Sequence, residues 1–225
     1  QFREVMEMLD VFYQAVGFDR YTFRLSLSDP EDEKYNFCGS RQDWERMEQT
    51  MREILDEAGV EYKELIGDAA FYGPKLDVQA VNVFGKEDSV STIQVDFNLP
   101  ERFELEYVDS QGQKQQPYVI HRALVGSFER FFAFLIEHHG GKFPLWYAPV
   151  QIKLLPITER NLEYGQELRR RFLRHGWRVE LDDRSETLSA KIRDAQLQQA
   201  PYMLVLGDRE EEAGKVAVRA RDGKK

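Results

Sequence analysis

The chain reads as an α+β unit built on an antiparallel sheet, followed by a small α/β unit with a mainly parallel core. Three observations predict this. Up to Ala148, strand-like runs follow one another through short turns, as antiparallel pairing requires. After Pro144 and Pro149, single apolar strands alternate with helical stretches, as βαβ units require. The charge changes at the same place: 27 acidic against 15 basic residues up to Ala148, a balance of −12, and 13 against 16 from Pro149, a balance of +3. The expected boundary separates residues 1–148 from 149–225.

Each element has a local cause. Phe2, Val5, Leu9, Phe12 and Val16 share one helical face, with no initiator Met or capping residue before them, so the chain is expected to begin inside a longer protein. Tyr21–Leu27 alternates as a strand. Trp44, Met47, Met51, Ile54 and Leu55 line a helix from about Asp43 to Ala58, stopped by Gly59. Strand patterns follow at Val60–Leu65, Leu76–Val83, Val90–Phe97 and Phe103–Val108; the last turns at Asp109–Gly112 and returns as Gln116–Ile120. A helix carrying Phe128, Phe131, Phe132 and Leu135 ends before Gly140-Gly141. Beyond it come strand Gln151–Ile157, helix Glu159–His175, strand Trp177–Leu181, helix Leu188–Gln198, and strands Tyr202–Leu206 and Lys215–Arg221.

Composition excludes several classes. With 42% hydrophobic residues the chain is too apolar for wholesale disorder. Its longest apolar run, Phe131–Ile136, is far short of the roughly 20 residues that span a bilayer, so no membrane partner is expected. Cys38 stands alone, read as a small buried side chain, and a reducing cytoplasm is the simplest home. Four His residues form no zinc-helix spacing, His138-His139 reads as a helix-end dipole contact, and no glycine-rich phosphate loop occurs. The basic residues Arg169, Arg170, Arg171, Arg174, Arg219, Arg221, Lys224 and Lys225 would draw a polyanion to the second unit.

Three segments are more specific: Ala70-Phe71-Tyr72-Gly73-Pro74-Lys75-Leu76-Asp77; Ser91-Thr92-Ile93-Gln94-Val95-Asp96-Phe97 with Asn98-Leu99-Pro100-Glu101-Arg102-Phe103; and His121-Arg122-Ala123-Leu124-Val125-Gly126-Ser127-Phe128-Glu129-Arg130-Phe131. With them the chain resembles the threonyl-tRNA synthetases, class II aminoacyl-tRNA synthetases, over essentially its whole length. The third segment resembles motif 3, and Phe143–Trp146 with Ala148–Gln151 resembles the passage into the anticodon-binding domain. The resemblance implies part of a class II catalytic domain followed by an incomplete anticodon-binding domain. It further implies a ligase that activates threonine with ATP and magnesium and transfers it to tRNA(Thr), working in the cytoplasm as a homodimer when full length.

By that resemblance Arg130 matches the motif 3 arginine that clamps the γ-phosphate side of ATP. Thr92 lies beside the nucleotide; Tyr72, Gln94 and Ser127 lie on the threonine side, and Lys75 serves the reaction. His121 matches one of three protein ligands of a zinc ion that binds threonine through its amino and hydroxyl groups and so rejects valine; Cys38 does not match the zinc cysteine. Glu210, in Gly207-Asp208-Arg209-Glu210, and Arg219, in Lys215–Arg219, match anticodon-reading positions, where carboxylate and guanidinium suit base edges.

The chain lacks segments resembling motif 1 and motif 2, including the motif 2 arginine, as well as an editing domain. It reads Ser89-Val90-Ser91-Thr92 where many members read Gln-Cys-Gly-Thr, so the family's side-chain contact is not carried over to position 89, while backbone contacts there can persist. These 225 residues alone are therefore expected to be inactive. The competing reading is a non-catalytic, synthetase-like paralogue that binds RNA or regulates; His121 and Arg130 favour the enzyme, since a retired site has no physical need of them. A small-molecule enzyme with its own chemistry would need a nucleophile–base constellation, which the sequence lacks.

Overall fold

The computed structural model describes residues 1–31 and 38–223. Lys224 and Lys225, counted above among the basic residues, lie outside them. The chain divides into two compact units, 1–138 and 139–225.

In the first unit the order is α1 (Phe2–Val16), β1 (Tyr21–Leu27), α2 (Arg41–Glu57), β2 (Tyr62–Ile66), β3 (Lys75–Val81), β4 (Glu87–Asp96), α3 (Asn98–Arg102), β5 (Tyr107–Val108), β6 (Lys114–Gln115), β7 (Val119–Ala123) and α4 (Phe128–His139). Five strands form one sheet in the order β2-β1-β3-β4-β7. Pairing is antiparallel across β1, β3, β4 and β7, as expected, but β1 and β2 run parallel. The reason is the connection: α2 carries the chain back along the sheet, so β1–α2–β2 is a crossover unit and not a hairpin. Helix α2 begins two residues earlier than expected because Ser40 caps it, its Oγ accepting from the Asp43 amide at 3.1 Å.

The strand expected over Phe103–Val108 is cut down to Tyr107–Val108, because α3 ends at Arg102 and a turn follows it. Asp96 Oδ1 accepts the Asn98 and Leu99 amides at 2.8 and 2.9 Å, which turns the chain into a helix before Phe103 is reached. The Asp109–Gly112 turn forms as expected, the Gly112 amide donating to Asp109 O at 3.0 Å. Its returning strand stops at Gln115, and β7 starts only at Val119, because Pro117 has no amide to donate to a ladder.

The sheet has one apolar and one polar face. Leu25, Leu76 and Ile93 stand in register on the apolar face, each fully buried. This side of the unit also buries Leu9 and Tyr13 of α1, Met51 and Leu55 of α2, and Phe131 of α4. Tyr13 stacks on Phe131 with ring centroids 5.8 Å apart, and its hydroxyl bonds Ser91 Oγ of β4 at 2.5 Å. Burial raises the Tyr13 phenol pKa well above the ordinary tyrosine value.

The second unit contains β8 (Ile152–Pro156), α5 (Leu162–Arg174), β9 (Val179–Leu181), α6 (Leu188–Leu197), β10 (Tyr202–Leu206), α7 (Asp208–Glu212) and β11 (Ala217–Ala220). Strands β9, β8 and β10 are parallel, and β11 closes the edge antiparallel to β10. Leu154, Leu168, Val179 and Leu206 share one core cluster, and Leu155, Ala195 and Met203 share another. β8 contributes to both, which is why it reads as an unbroken apolar run.

Candidate functional site

The polar face of the first sheet gathers Tyr72, Lys75, Thr92, Gln94 and His121 among the sequence-predicted residues. Ser26, Lys75, Gln94 and His121 stand in register across β1, β3, β4 and β7, and Arg24, Asp77, Thr92 and Ala123 form the adjoining row. Successive side chains of a strand alternate faces, so residues two apart on β3 and β4 share this surface. Tyr72 is delivered from the turn before β3 and donates to Gln94 Oε1 at 2.6 Å, with its ring 6.0 Å from the His121 imidazole. Burial, and then the charge of Asp96, raise the Tyr72 pKa, so the phenol stays protonated and able to donate.

The backbone makes this possible by close approach. The Tyr72 and Pro74 carbonyls accept the Phe97 and Val95 amides at 2.9 and 3.1 Å. A Cβ on Gly73 between them would stand 1.8 Å from the Val95 carbonyl oxygen, so only glycine fits. Gly126, at φ +55°, plays the same part after β7: a Cβ there would meet the Val90 oxygen at 2.7 Å.

Charges on this face are neutralised locally. Lys75 Nζ donates to Asp77 Oδ2 at 2.7 Å and to Asp68 Oδ2 at 3.2 Å, while Ser26 Oγ donates to Asp68 at 2.8 Å. The Arg24 guanidinium lies 3.4 Å from Asp68 and 3.6 Å from Asp77. Partial burial works against ionisation of Asp68, but Ser26, Lys75 and Arg24 outweigh it and hold its carboxyl below the usual carboxylate range. Asp77, only 2% exposed, thus shares with Asp68 the balance of two cations. Thr92 Oγ1 is buried with no hydrogen-bond partner, as is Arg24 Nε, which leaves polar capacity on this face for a ligand.

His121 Nε2 lies 2.7 Å from Asp96 Oδ2. Among the described residues no three His, Cys, Asp or Glu side chains come together in a way that could hold a metal ion. Cys38 is half-buried, not buried as expected. His138 bonds the Gly17 carbonyl at 2.8 Å and packs edge-on against Phe18.

Ser127 and Arg130 stand at the start of α4. Ser127 Oγ donates to Glu129 at 3.0 Å, and Arg130 reaches the Ser89 carbonyl on β4 at 3.2 Å, while the Ser89 hydroxyl is taken by Gln79 at 2.7 Å. A cleft of about 550 Å³ lies elsewhere in the unit, lined by Phe2, Met51, Val95, Pro117 and Ile120 among others, and contains none of these groups. Sequence reasoning missed Arg24, Asp68, Asp77 and Asp96 as site residues; the two-residue spacings Lys75–Asp77 and Gln94–Asp96 were the available signal.

In the second unit, Arg169, Arg170, Arg171 and Arg174 are exposed along α5. Arg219 lies on β11 opposite Met203, with its Nε buried and without a partner. Glu210 caps α7, its Oε2 accepting the Gly207 amide at 3.1 Å, so one carboxylate oxygen is already engaged.

A mixed sheet with a charged polar face, followed by a compact βαβ unit bearing exposed arginines, defines a class that comparison with known proteins makes explicit. The tRNA synthetase class II core domain (G, H, P, S and T) family matches residues 1–139, and the anticodon binding domain family matches residues 150–225. The chain belongs to the class II tRNA synthetase core family. Within that class it is similar to threonine–tRNA ligases: 50% identical to that of Acidobacterium capsulatum over 97% of this chain and 32% of that protein, and 46% identical to that of Geobacillus kaustophilus over 97% and 34%. The chain thus spans about a third of the length of these relatives. Among solved structures it resembles the RNA binding domain of threonyl-tRNA synthetase from Cryptosporidium parvum, with a TM-score of 0.85 and 38% identity over 98% of this chain and 54% of that one. It also resembles a putative threonyl-tRNA synthetase from Aeropyrum pernix, with a TM-score of 0.77 and 32% identity over 97% and 51%. No helix among the described residues is long and apolar enough to cross a membrane.

Proposed function

We propose that the chain is part of a cytoplasmic threonine–tRNA ligase, with residues 1–148 in its catalytic domain and 149–225 in its anticodon-binding domain. The full-length enzyme forms threonyl-adenylate from threonine and ATP, transfers threonine to tRNA(Thr), and works as a homodimer. The observation that carries this reading is the juxtaposition of Tyr72, Gln94 and His121 on one face of the sheet.

In the activation step the threonine carboxylate forms a bond to the α-phosphorus of ATP, and the bond to pyrophosphate breaks. Arg130 holds the γ-phosphate side of the nucleotide, with magnesium accompanying the phosphates. The unpaired Thr92 hydroxyl supplies a buried polar contact to the nucleotide. Tyr72 fixes Gln94 by its hydrogen bond, so the Gln94 amide is oriented toward threonine, and Ser127, between β7 and α4, lies on the threonine side. Lys75 is anchored by Asp68 and Asp77, so its ammonium keeps a fixed place in the pocket.

His121 fits one corner of a zinc site: an imidazole with a carboxylate behind it is the usual arrangement of a zinc-bound histidine. The remaining ligands would come from beyond these residues. A bound zinc would supply Lewis acidity toward the amino and hydroxyl groups of threonine, a discrimination that valine fails. Glu210 and Arg219 read bases of the anticodon loop, with the arginines of α5 supplying phosphate contacts.

The test is threonine-dependent ATP–pyrophosphate exchange. In a full-length ligase carrying this sequence, Arg130→Ala should lower the exchange rate about 100-fold or more, the usual scale for a positioned charge in a transition state. The 225 residues alone should show none. Exchange unchanged by Arg130→Ala rejects the reading.

A further inference from the structure

We infer that Asp96 is a positioning residue that sets the tautomer of His121, placing the proton on Nε2 and leaving Nδ1 as the nitrogen that meets a ligand. Asp96 is 2% exposed, and both of its oxygens are engaged. Its Oδ1 accepts the Asn98 and Leu99 amides at 2.8 and 2.9 Å, and its Oδ2 faces His121 Nε2 at 2.7 Å. An ionised carboxylate only accepts, so Nε2 donates, and a neutral ring protonated there carries its lone pair on Nδ1. His121 lies on β7 opposite Gln94, the residue Tyr72 holds, so the open nitrogen belongs to the same face as the rest of the site. The chemistry this prepares is donation of an imidazole lone pair to a divalent cation that favours nitrogen ligands. The carboxylate behind the ring fixes its orientation.

Asp96 itself is held by the backbone turn into α3. The turn into α3 at Asn98 and Leu99 is therefore what aims the carboxylate at His121. The sequence offers only Gln94 and Asp96 two residues apart; the third partner, His121, is 25 residues further on.

The inference rests on the reading of His121 as a metal ligand, but its test needs no metal. Long-range ¹H–¹⁵N correlation of the His121 ring, recorded on the labelled chain in alkaline buffer, should show Nε2 protonated and Nδ1 unprotonated. In Asp96→Asn the new carbonyl oxygen stays on the two backbone amides, and the NH₂ group then faces the ring. Nε2 must accept, the proton moves to Nδ1, and the two nitrogens exchange their signatures; a carboxylate-to-amide change behind a histidine reverses its tautomer in this way. A merely structural Asp96 would not exchange them. A protonated Nδ1 in the wild-type chain, or an unchanged Nε2–H tautomer in a folded Asp96→Asn chain, overturns the inference. If Asp96→Asn does not fold, the wild-type spectrum decides alone. In the full-length ligase, Asp96→Asn should weaken zinc binding about 10- to 100-fold. A full-length wild-type protein that takes up no zinc would reject the metal reading while leaving the tautomer assignment standing.

Discussion

Replacing Gly73 by Ala should cost the first unit far more than the addition of one methyl suggests. The new Cβ would stand 1.8 Å from the Val95 carbonyl oxygen and 2.8 Å from its carbon, both backbone atoms that no rotamer change can move aside. The turn must lift from β4, and the bonds it breaks are the Val95 amide to Pro74 and the Phe97 amide to Tyr72. At about 1 kcal/mol net for each bond, with the further cost of leaving groups in a buried region unpaired, the loss is about 2–4 kcal/mol. That corresponds to a factor of about 30 to 1,000 in the local opening equilibrium. Gly85 is the control: it too has positive φ, at +78°, but nothing lies within 4 Å of its Cβ position, so Gly85→Ala costs only the left-handed backbone penalty of about 1–2 kcal/mol. Native-state hydrogen exchange reads the difference at the Val95 and Phe97 amides. Protection at both should collapse in Gly73→Ala and persist in Gly85→Ala. Equal protection in the two variants would refute the argument and, with it, the claim that close backbone approach positions Tyr72.

Two more outcomes can be checked. Arg219→Ala should weaken binding of a tRNA(Thr) anticodon stem-loop by about 1–3 kcal/mol and relax the preference at one base, whereas Arg170→Ala should weaken binding to all loops and flatten the salt dependence; equal losses for cognate and non-cognate loops on Arg219→Ala would reject base reading. The Arg184 hydrogen bonds hold the Asp182 carboxyl below the usual carboxylate range against the opposing effect of burial, so its contribution to the second unit is present above the unfolded value of about 3.9 and is lost as pH falls through the lower folded value. Asp182→Asn should therefore flatten the acid limb of a plot of Tm against pH, and an unchanged limb would show that the pair does not contribute.

Periodicity and turn chemistry made most elements legible. The amphipathic faces of α1 and α2, the alternation of β1, and the apolar run of β8 all follow from how each segment must bury one or both sides, which is local information. The site was legible in part, through Tyr72, Gln94, His121 and Arg130, because three short segments carry family motifs. Strand direction was not legible in the same way. Val60–Leu65 looks like any other strand, and its parallel pairing with β1 depends on how α2 crosses the sheet. Asp96 looks like a polar residue in an alternating strand. Its capture of two amides and one imidazole required α3 to form beside it and β7 to pair in the register that sets His121 opposite Gln94. Sequence by itself determined which residues are apolar, which turn, and which belong to motifs, because those properties are fixed within a few neighbours. Only tertiary structure decided which charges neutralise one another and which nitrogen of His121 faces Asp96, because hydrogen bonds and ion pairs depend on distances of a few ångströms between segments far apart in the chain.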